Sequence, residues 1–324
     1  MMRVNGSEAR SATRGADRSA VDDSVLAQAL DPSLGIFAAV ESLPTGNHPE
    51  LPVAVRGRLV GPVFAWPRMV HGRGGDASEA LVSVVSAALE QLGRDTLVGK
   101  RIVPGIRMGY GSRTTIDAPT VLARGAIGCS VELAGAGEHA ALEAWERRAV
   151  ARLWAERQIE ARLDENAEPP AIGRVLDWHR GRGRRVISLL LDRAPPVVAC
   201  VALPNDPDAP ALCGVAAGRT AIGAWRAAAL ELHQVHLCRC QGARTDDLRG
   251  RHGRTLPGRV MGVTRDLPIR RDELAAIVAS TRKVVAASTV PAFPGFLDAT
   301  AVDISPPIAE RLGRKVVAVV LGGE

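Results

Sequence analysis

The chain has 324 residues, 46% of them hydrophobic and only 3% aromatic, and carries a net charge of +6. A core of that size must be packed from Ala, Val and Leu, in one large domain or two ordinary ones. Scattered cations and few aromatics leave no stacking platform for nucleic acid; no apolar run approaches about 18 residues, so no membrane span is expected; and no hydrophobic segment follows the N-terminal arginines, so no secretory signal is expected.

Residues 1–23 are polar and read as a disordered tail, with a single domain over 24–324. Strands are expected at Gly35–Val40, Leu51–Val55 and Pro62–Trp66. His71–Gly75 reads as a glycine-rich turn, after which Asp76 or Ser78 caps a helix over Glu79–Leu92. Pro119–Glu132 contains a strand and leads into a helix over Gly137–Ala161. Asp164–Pro170 breaks the pattern, and Ile172–Arg180 is helical. Val186–Leu191 and Val197–Leu203 are short, apolar and bounded by turns, as buried strands are. Pro204–Pro210 is a loop, Thr220–Cys240 a long helix, Arg244–Leu256 a basic loop and Asp272–Val284 a helix. Thr300–Ile304 and Lys315–Leu321 close the chain as strands.

Strands thus alternate with helices, and a strand–turn–helix unit occurs three times, each helix rich in alanine with a glutamate near its middle: Glu90, Glu143 and Glu231. This is an α+β chain of repeated units with mixed sheets. The most informative stretch is Ala140–Trp154, AALEAWERRAVARLW. Glu143, Glu146, Arg147 and Val150 recur at three- and four-residue spacing and share one helical face. Two carboxylates and a guanidinium on one surface suit a metal-bound phosphate group, because carboxylates hold Mg²⁺ and arginine forks onto phosphate oxygens. The plainer alternative is a solvated face of Glu–Arg pairs. The odd, scattered cysteines (Cys129, Cys200, Cys213, Cys238, Cys240) argue for reduced thiols in a cytoplasm. His233, His236, Cys238 and Cys240 are donors for zinc in principle, but on one helix the four do not converge.

Taken in order, three motifs resemble those of the YcaO family of ATP-dependent enzymes that modify peptide backbones, with closest similarity to the azoline-forming cyclodehydratases of ribosomal peptide natural-product pathways. The family's Gly-Lys-Gly turn corresponds to Gly72-Arg73-Gly74. Its S-x-x-x-E-x-x-E-R helix begins at Ser83, places its first glutamate on Ala87, its second on Glu90 and its arginine on Gln91. E-x-x-E-R followed by Trp is intact as Glu143, Glu146, Arg147 and Trp154. E-x-x-Q after a Gly-Ala-Ala turn matches Glu231 and Gln234, with Gly214–Ala217 as the turn and Arg226 upstream.

The resemblance implies a YcaO-like fold with a composite nucleotide site between helices. It implies ATP and Mg²⁺ as cofactors, with Glu90, Glu143, Glu146 and Glu231 as metal ligands, directly or through water. Arg73 and Arg147 would contact phosphates, Gln234 the nucleotide or a metal-bound water, and Ser83 and Arg226 would complete the nucleotide contacts; no residue is assigned to catalysis. The implied reaction is phosphorylation of a backbone amide oxygen of a ribosomally made precursor peptide, closing Cys, Ser or Thr into azolines; thioamide or amidine formation are the alternatives within the family. Ala87, Gln91 and an ending at Gly322-Gly-Glu324, without a proline-rich tail, point the other way, to a catalytically degenerate subunit that scaffolds an active partner. Recognition of a leader peptide is expected to need a separate protein, and a homodimer is an open alternative.

Overall fold

The structure, a computed structural model, describes residues 23–44, 51–59, 68–205, 211–240, 271–281, 283–293 and 298–322. The expected strand at Pro62–Trp66, the expected tail up to residue 22, residues 206–210 of the expected loop and the basic loop at Arg244–Leu256 lie outside the described residues, while Asp23, counted with the tail, opens the first helix. Three sheets carry the fold. The first contains β1 (Phe37–Leu43), β2 (Val53–Leu59) and β3 (Arg68–Gly74), all antiparallel. The second runs β10–β9–β8–β7–β11, from β7 (Ala161–Leu163), β8 (Arg184–Arg193), β9 (Pro196–Pro204), β10 (Leu212–Ala217) and β11 (Val284–Val285). It is mixed, since β11 pairs parallel to β7. The third runs β5–β4–β12–β13–β6, from β4 (Ile102–Arg107), β5 (Arg113–Asp117), β6 (Ala126–Ser130), β12 (Ala299–Asp303) and β13 (Lys315–Leu321).

The main helices are α1 (Asp23–Leu30), α2 (Ala77–Asp95), α3 (Ala118–Arg124), α4 (Leu133–Glu156), α5 (Pro170–Arg180), α6 (Ala221–Cys240), α7 (Arg271–Ser280) and α8 (Pro307–Arg311). Asp76 is the cap of α2, its Oδ1 accepting from Glu79 N at 2.8 Å. The helix expected over Gly137–Ala161 starts and ends earlier: Arg157 takes a left-handed conformation (φ 59°) that stops α4 and frees the chain to form β7. The helix expected over Asp272–Val284 stops at Ser280, and Val284 and Val285 join the second sheet. β8 and β9 are buried on both faces, by α5 and α6 on one side and by α4 and α7 on the other. That double burial is why they read as unbroken apolar runs. Trp225, fully buried, donates from Nε1 to Ser188 Oγ at 2.8 Å and pins α6 to β8.

Two segments expected as turns are strands. His71–Gly74 lies within β3 and Gly214–Ala217 within β10. Their glycines serve close packing. A methyl group on Gly72 would stand 2.2 Å from Ala80 O and 2.4 Å from Val84 N of α2. On Gly214 it would stand 2.2 Å from Ala228 O and 2.3 Å from Leu232 N of α6. Gly128 of β6 has the same relation to α4, at 2.5 Å from both Ala136 O and Ala140 N. These contacts set the register of the repeat. Ala80, Ala136 and Ala228 are equivalent, and so are Val84, Ala140 and Leu232. Counting onward, Glu90 matches Glu146 and Cys238, Ala87 matches Glu143 and Val235, and Ser83 matches His139 and Glu231. The repeat is real, but Glu90, Glu143 and Glu231 are not its equivalent positions. Each unit also touches the next: α2 reaches β6, α4 reaches β10, and α6 returns to β3, so the three close on themselves.

Candidate functional site

The seam between α4, β10, α6 and β3 holds the charged cluster. Glu146 lies between Glu231 of α6 and Glu143, one turn earlier on α4. Burial pushes its carboxyl well above the ordinary range, the two neighbouring carboxylates push it further, and Arg73 and Arg147 offset part of the effect. Arg73, from the end of β3, donates to Gln234 Oε1 at 3.0 Å and pairs with Glu231 Oε2 at 3.1 Å. Arg147 pairs with Glu143 and donates to Gly125 O at 3.0 Å. Alternation explains Arg73: Gly72 faces α2, so its neighbour projects to the other side of the strand, toward α6. Cys213 on β10 feels both Glu231 and Glu146; burial, with these charges, raises its thiol pKa.

Of the residues expected from sequence, the seam brings together Arg73, Glu143, Glu146, Arg147, Glu231 and Gln234. Glu90 stands at the neighbouring seam, where His139 Nδ1 approaches its Oε1 at 3.8 Å. Ser83 lies on α2 at the position that Glu231 occupies on α6. Arg226 sits at the rim, paired with Glu79 Oε2 at 3.0 Å, and the same oxygen accepts from Gly75 N. Exposed ion pairs of that kind contribute roughly 0–1 kcal/mol. Glu79→Ala should therefore change the midpoint of urea unfolding little and leave nucleotide affinity within about twofold. Sequence reading passed over His139, an exposed residue of α4 whose position beside Glu90 follows only from the register.

Among the described residues, no three His, Cys, Asp or Glu side chains are close enough to cage a metal ion unaided. The donor set still fits Mg²⁺. Carboxylate oxygens are hard ligands, and Mg²⁺ keeps waters and phosphate oxygens in its shell instead of demanding a full protein cage. A carboxyl driven toward its protonated form by burial and by two neighbouring carboxylates, as Glu146 is by Glu231 and Glu143, is what a divalent cation relieves. Two flanking arginines supply the fork geometry that phosphate oxygens accept.

The HQVHLCRC segment divides between two faces of α6. Cys238 packs with Leu43, Ala54 and Leu237, whereas His233 and His236 meet His179 and Trp178 of α5. Arg184 donates to His179 Nδ1 at 2.8 Å and to His236 Nδ1 at 3.2 Å. A guanidinium has only donors, so both rings carry their hydrogen on Nε2. That tautomer, with Arg184 in contact, disfavours a metal there. All five cysteines are free. Burial, with Arg184, Arg182 and neighbouring rings, lowers the pKa of His179 to about 2, and burial with Arg182 lowers that of His233 to about 4. Unfolded histidines titrate near 6.5. Below that pH the unfolded chain takes up protons that the folded chain refuses, so this contribution is complete above pH 6.5 and is lost as pH falls. Two such groups should remove about 2–4 kcal/mol between pH 7 and 5. Urea midpoints at the two pH values measure this, and His233→Gln should remove about half of the slope.

No helix among the described residues is long and apolar enough to cross a membrane. A search of curated proteins finds no match. Among solved structures, the fold resembles a heterocyclase in complex with substrate and cofactor, with a TM-score of 0.69 and 13% identity over 93% of this chain. The match spans 52% of that protein's length. It also resembles YcaO from Methanopyrus kandleri bound with AMPPCP and Mg²⁺, with a TM-score of 0.68 and 14% identity, covering 92% of this chain and 88% of that one. A chain of the E. coli microcin synthetase McbBCD complex matches with a TM-score of 0.60 and 12% identity, over 87% of this chain and 86% of that one. At such identities these likenesses establish the fold. The sequence itself matches the family described as YcaO cyclodehydratase, ATP- and Mg²⁺-binding, over residues 126–321, which takes in β6, α4, β10 and α6 and begins after Arg73, Ser83 and Glu90. The chain belongs to the YcaO family of ATP- and Mg²⁺-binding cyclodehydratases.

Proposed function

We propose that this chain activates backbone amides of a ribosomally made peptide and closes Cys, Ser or Thr side chains onto them as azolines. The observation that carries the reading is the grouping of Glu146 and Glu143 of α4 with Glu231 of α6, with Arg73 and Arg147 alongside. Bound ATP and Mg²⁺ supply the phosphoryl group that turns an amide oxygen, otherwise a poor leaving group, into a good one. The chain's own contribution is positioning and charge neutralisation. Glu143, Glu146 and Glu231 would hold the metal, directly or through water. Arg73 and Arg147, which pair with Glu231 and Glu143, would contact the phosphates, and Gln234 would hydrogen-bond the nucleotide or a metal-bound water. Ser83 and Arg226 are assigned to the periphery of the same site, and Glu90, at the neighbouring seam, to the metal through water.

A second reading, that of a degenerate scaffolding subunit, draws on Ala87 and Gln91, which occupy the positions of Glu143 and Arg147 in the first repeat. The seam between α4 and α6 retains its full set of charges, which favours the first reading. Calorimetric titration with Mg-ATP separates the two. The wild type should bind, and Glu143→Ala should bind at least about tenfold more weakly. No binding by the wild type would sink the enzyme reading, and unchanged binding by Glu143→Ala would sink the site assignment. Azoline formation, read as loss of one water per ring by mass spectrometry, tests the chemistry. On a full-length precursor it should require a separate leader-binding protein.

A further inference from the structure

α4 lies across two sheets. Ala136 and Ala140 pack with Val317 and Val319 of the third, and Trp145, Ala149, Val150 and Leu153 pack with Ile187, Leu189 and Val201 of the second. Apolar contacts are non-directional and do not by themselves fix the rotation of a helix about its axis. A turn of about 20° would carry a side-chain end, about 6 Å from that axis, through about 2 Å. A carboxylate on β8 supplies the missing direction. Trp145 Nε1 donates to Asp192 Oδ2 at 3.0 Å, and Arg152, two turns along the same flank of α4, pairs with the same oxygen. Asp192 Oδ1 accepts from Arg193 N at 2.7 Å and from Ala194 N at 3.2 Å. The end of the strand thus holds the carboxylate that holds the helix. Arg148 covers the indole, its guanidinium carbon 5.2 Å from the ring centre.

Asp192 reaches α4 because β8 is bulged. Val186, Ser188 and Leu190 face α5 and α6, whereas Ile187, Leu189 and Leu191 face α4 and α7. Strict alternation would turn Asp192 toward α6. The register against β9 slips between Leu190 and Asp192, so Leu191 and Asp192 both serve the α4 side.

We propose that Asp192, acting through Trp145, is a positioning residue of the nucleotide site: it sets the rotation of α4 at which Glu143 and Glu146 stand beside Glu231. Trp145 directly precedes Glu146 and lies about 100° from it around the helix, so its indole is clear of the seam while any turn of α4 moves both. The proposal rests on the reading of the seam as the Mg-ATP site.

The test is calorimetric titration of the full chain with Mg-ATP, under conditions where urea unfolding shows each variant to be folded. Asp192→Asn keeps the shape, but one end of its amide is a donor, so either the indole or the strand end loses its acceptor. It should bind about tenfold more weakly. Trp145→Phe keeps the ring and removes the donor, and should weaken binding to a similar extent; it decides alone where Asp192→Asn does not fold. The double variant should be no weaker than the worse single one within about twofold, because both changes break one contact. Arg152→Ala, which removes an exposed partner, should stay within about twofold of the wild type. The indole N–H resonance of Trp145, assigned by its absence in Trp145→Phe, should shift as Mg-ATP saturates the wild type, a response that a purely structural contact would not give. Unchanged affinity in Trp145→Phe, losses that add in the double variant, equal weakening by Arg152→Ala, or an unmoved indole resonance would overturn the proposal. A wild type that does not bind Mg-ATP would overturn the nucleotide reading and this proposal with it, whereas a wild type that binds beside unaffected variants overturns this proposal alone.

Discussion

Gly214→Ala is expected to destabilise the chain by about 3 kcal/mol or more, although alanine is the milder residue elsewhere in a fold this rich in it. The new methyl would meet Ala228 O at 2.2 Å and Leu232 N at 2.3 Å. Both are backbone atoms of α6, so no side chain can rotate away and the helix must lift from β10. Overpacking of this kind costs typically 1–3 kcal/mol and occasionally more. Lifting α6 also shifts Glu231 and Gln234 away from Arg73, so nucleotide affinity should fall along with stability. Gly72→Ala and Gly128→Ala repeat the experiment at β3 and β6. Gly173→Ala is the control. It lies inside α5, and its nearest neighbour is Glu168 Oε2 at 3.7 Å, an ordinary contact. There the methyl should stabilise by about 0.5–1 kcal/mol, since glycine is the costlier residue within a helix. Urea unfolding of the four variants reads the contrast, and equal stability of Gly214→Ala and wild type would contradict the packing described.

Glu231→Ala should lower Mg-ATP affinity about 10–100-fold, by calorimetric titration. Its carboxylate has two connections that no surface glutamate here combines: the ion pair with Arg73 at 3.1 Å and the repulsion that raises the Glu146 carboxyl. Removing it frees Arg73 and relieves Glu146, so the folded chain should lose little stability while the site loses a ligand. Glu231→Gln keeps the shape and removes the charge. It should lose nearly as much affinity if the carboxylate binds metal, and little if the residue only positions Arg73 through a hydrogen bond.

Much of this site was legible in the chain. The spacing of Glu143, Glu146 and Arg147 placed them on one helical face, and Glu231 and Gln234 shared another. These are local relations, fixed by 3.6 residues per turn, and tertiary contacts leave them unchanged. The buried strands β8 and β9 were equally plain, because a strand covered on both sides admits only apolar residues. The short edge elements escaped notice. β4 is non-polar from Ile102 to Ile106, at exposed and buried positions alike, and carries a proline, and β5 is short and mostly polar, so no alternation of apolar and polar residues marks them as strands.

The sequence by itself determined which side chains share a helical face and which strands are buried, since both follow from the period of the backbone. Only the tertiary structure decided which faces meet. Gly72 and Gly214 looked like turn residues because glycine is ambiguous from sequence: it serves a turn, or it allows a helix to approach. The approach distances resolve the ambiguity, and the register they set aligns Glu90 with Glu146 instead of Glu143. It also leaves Glu90 beside His139, while Glu146 stands between Glu143 and Glu231. The cluster depends on contacts between residues about 85–160 positions apart, such as Arg73 with Gln234. Chain closure over such distances leaves no periodic trace in the sequence, because it is set by the packing of sheets and helices and not by the local conformation of either segment.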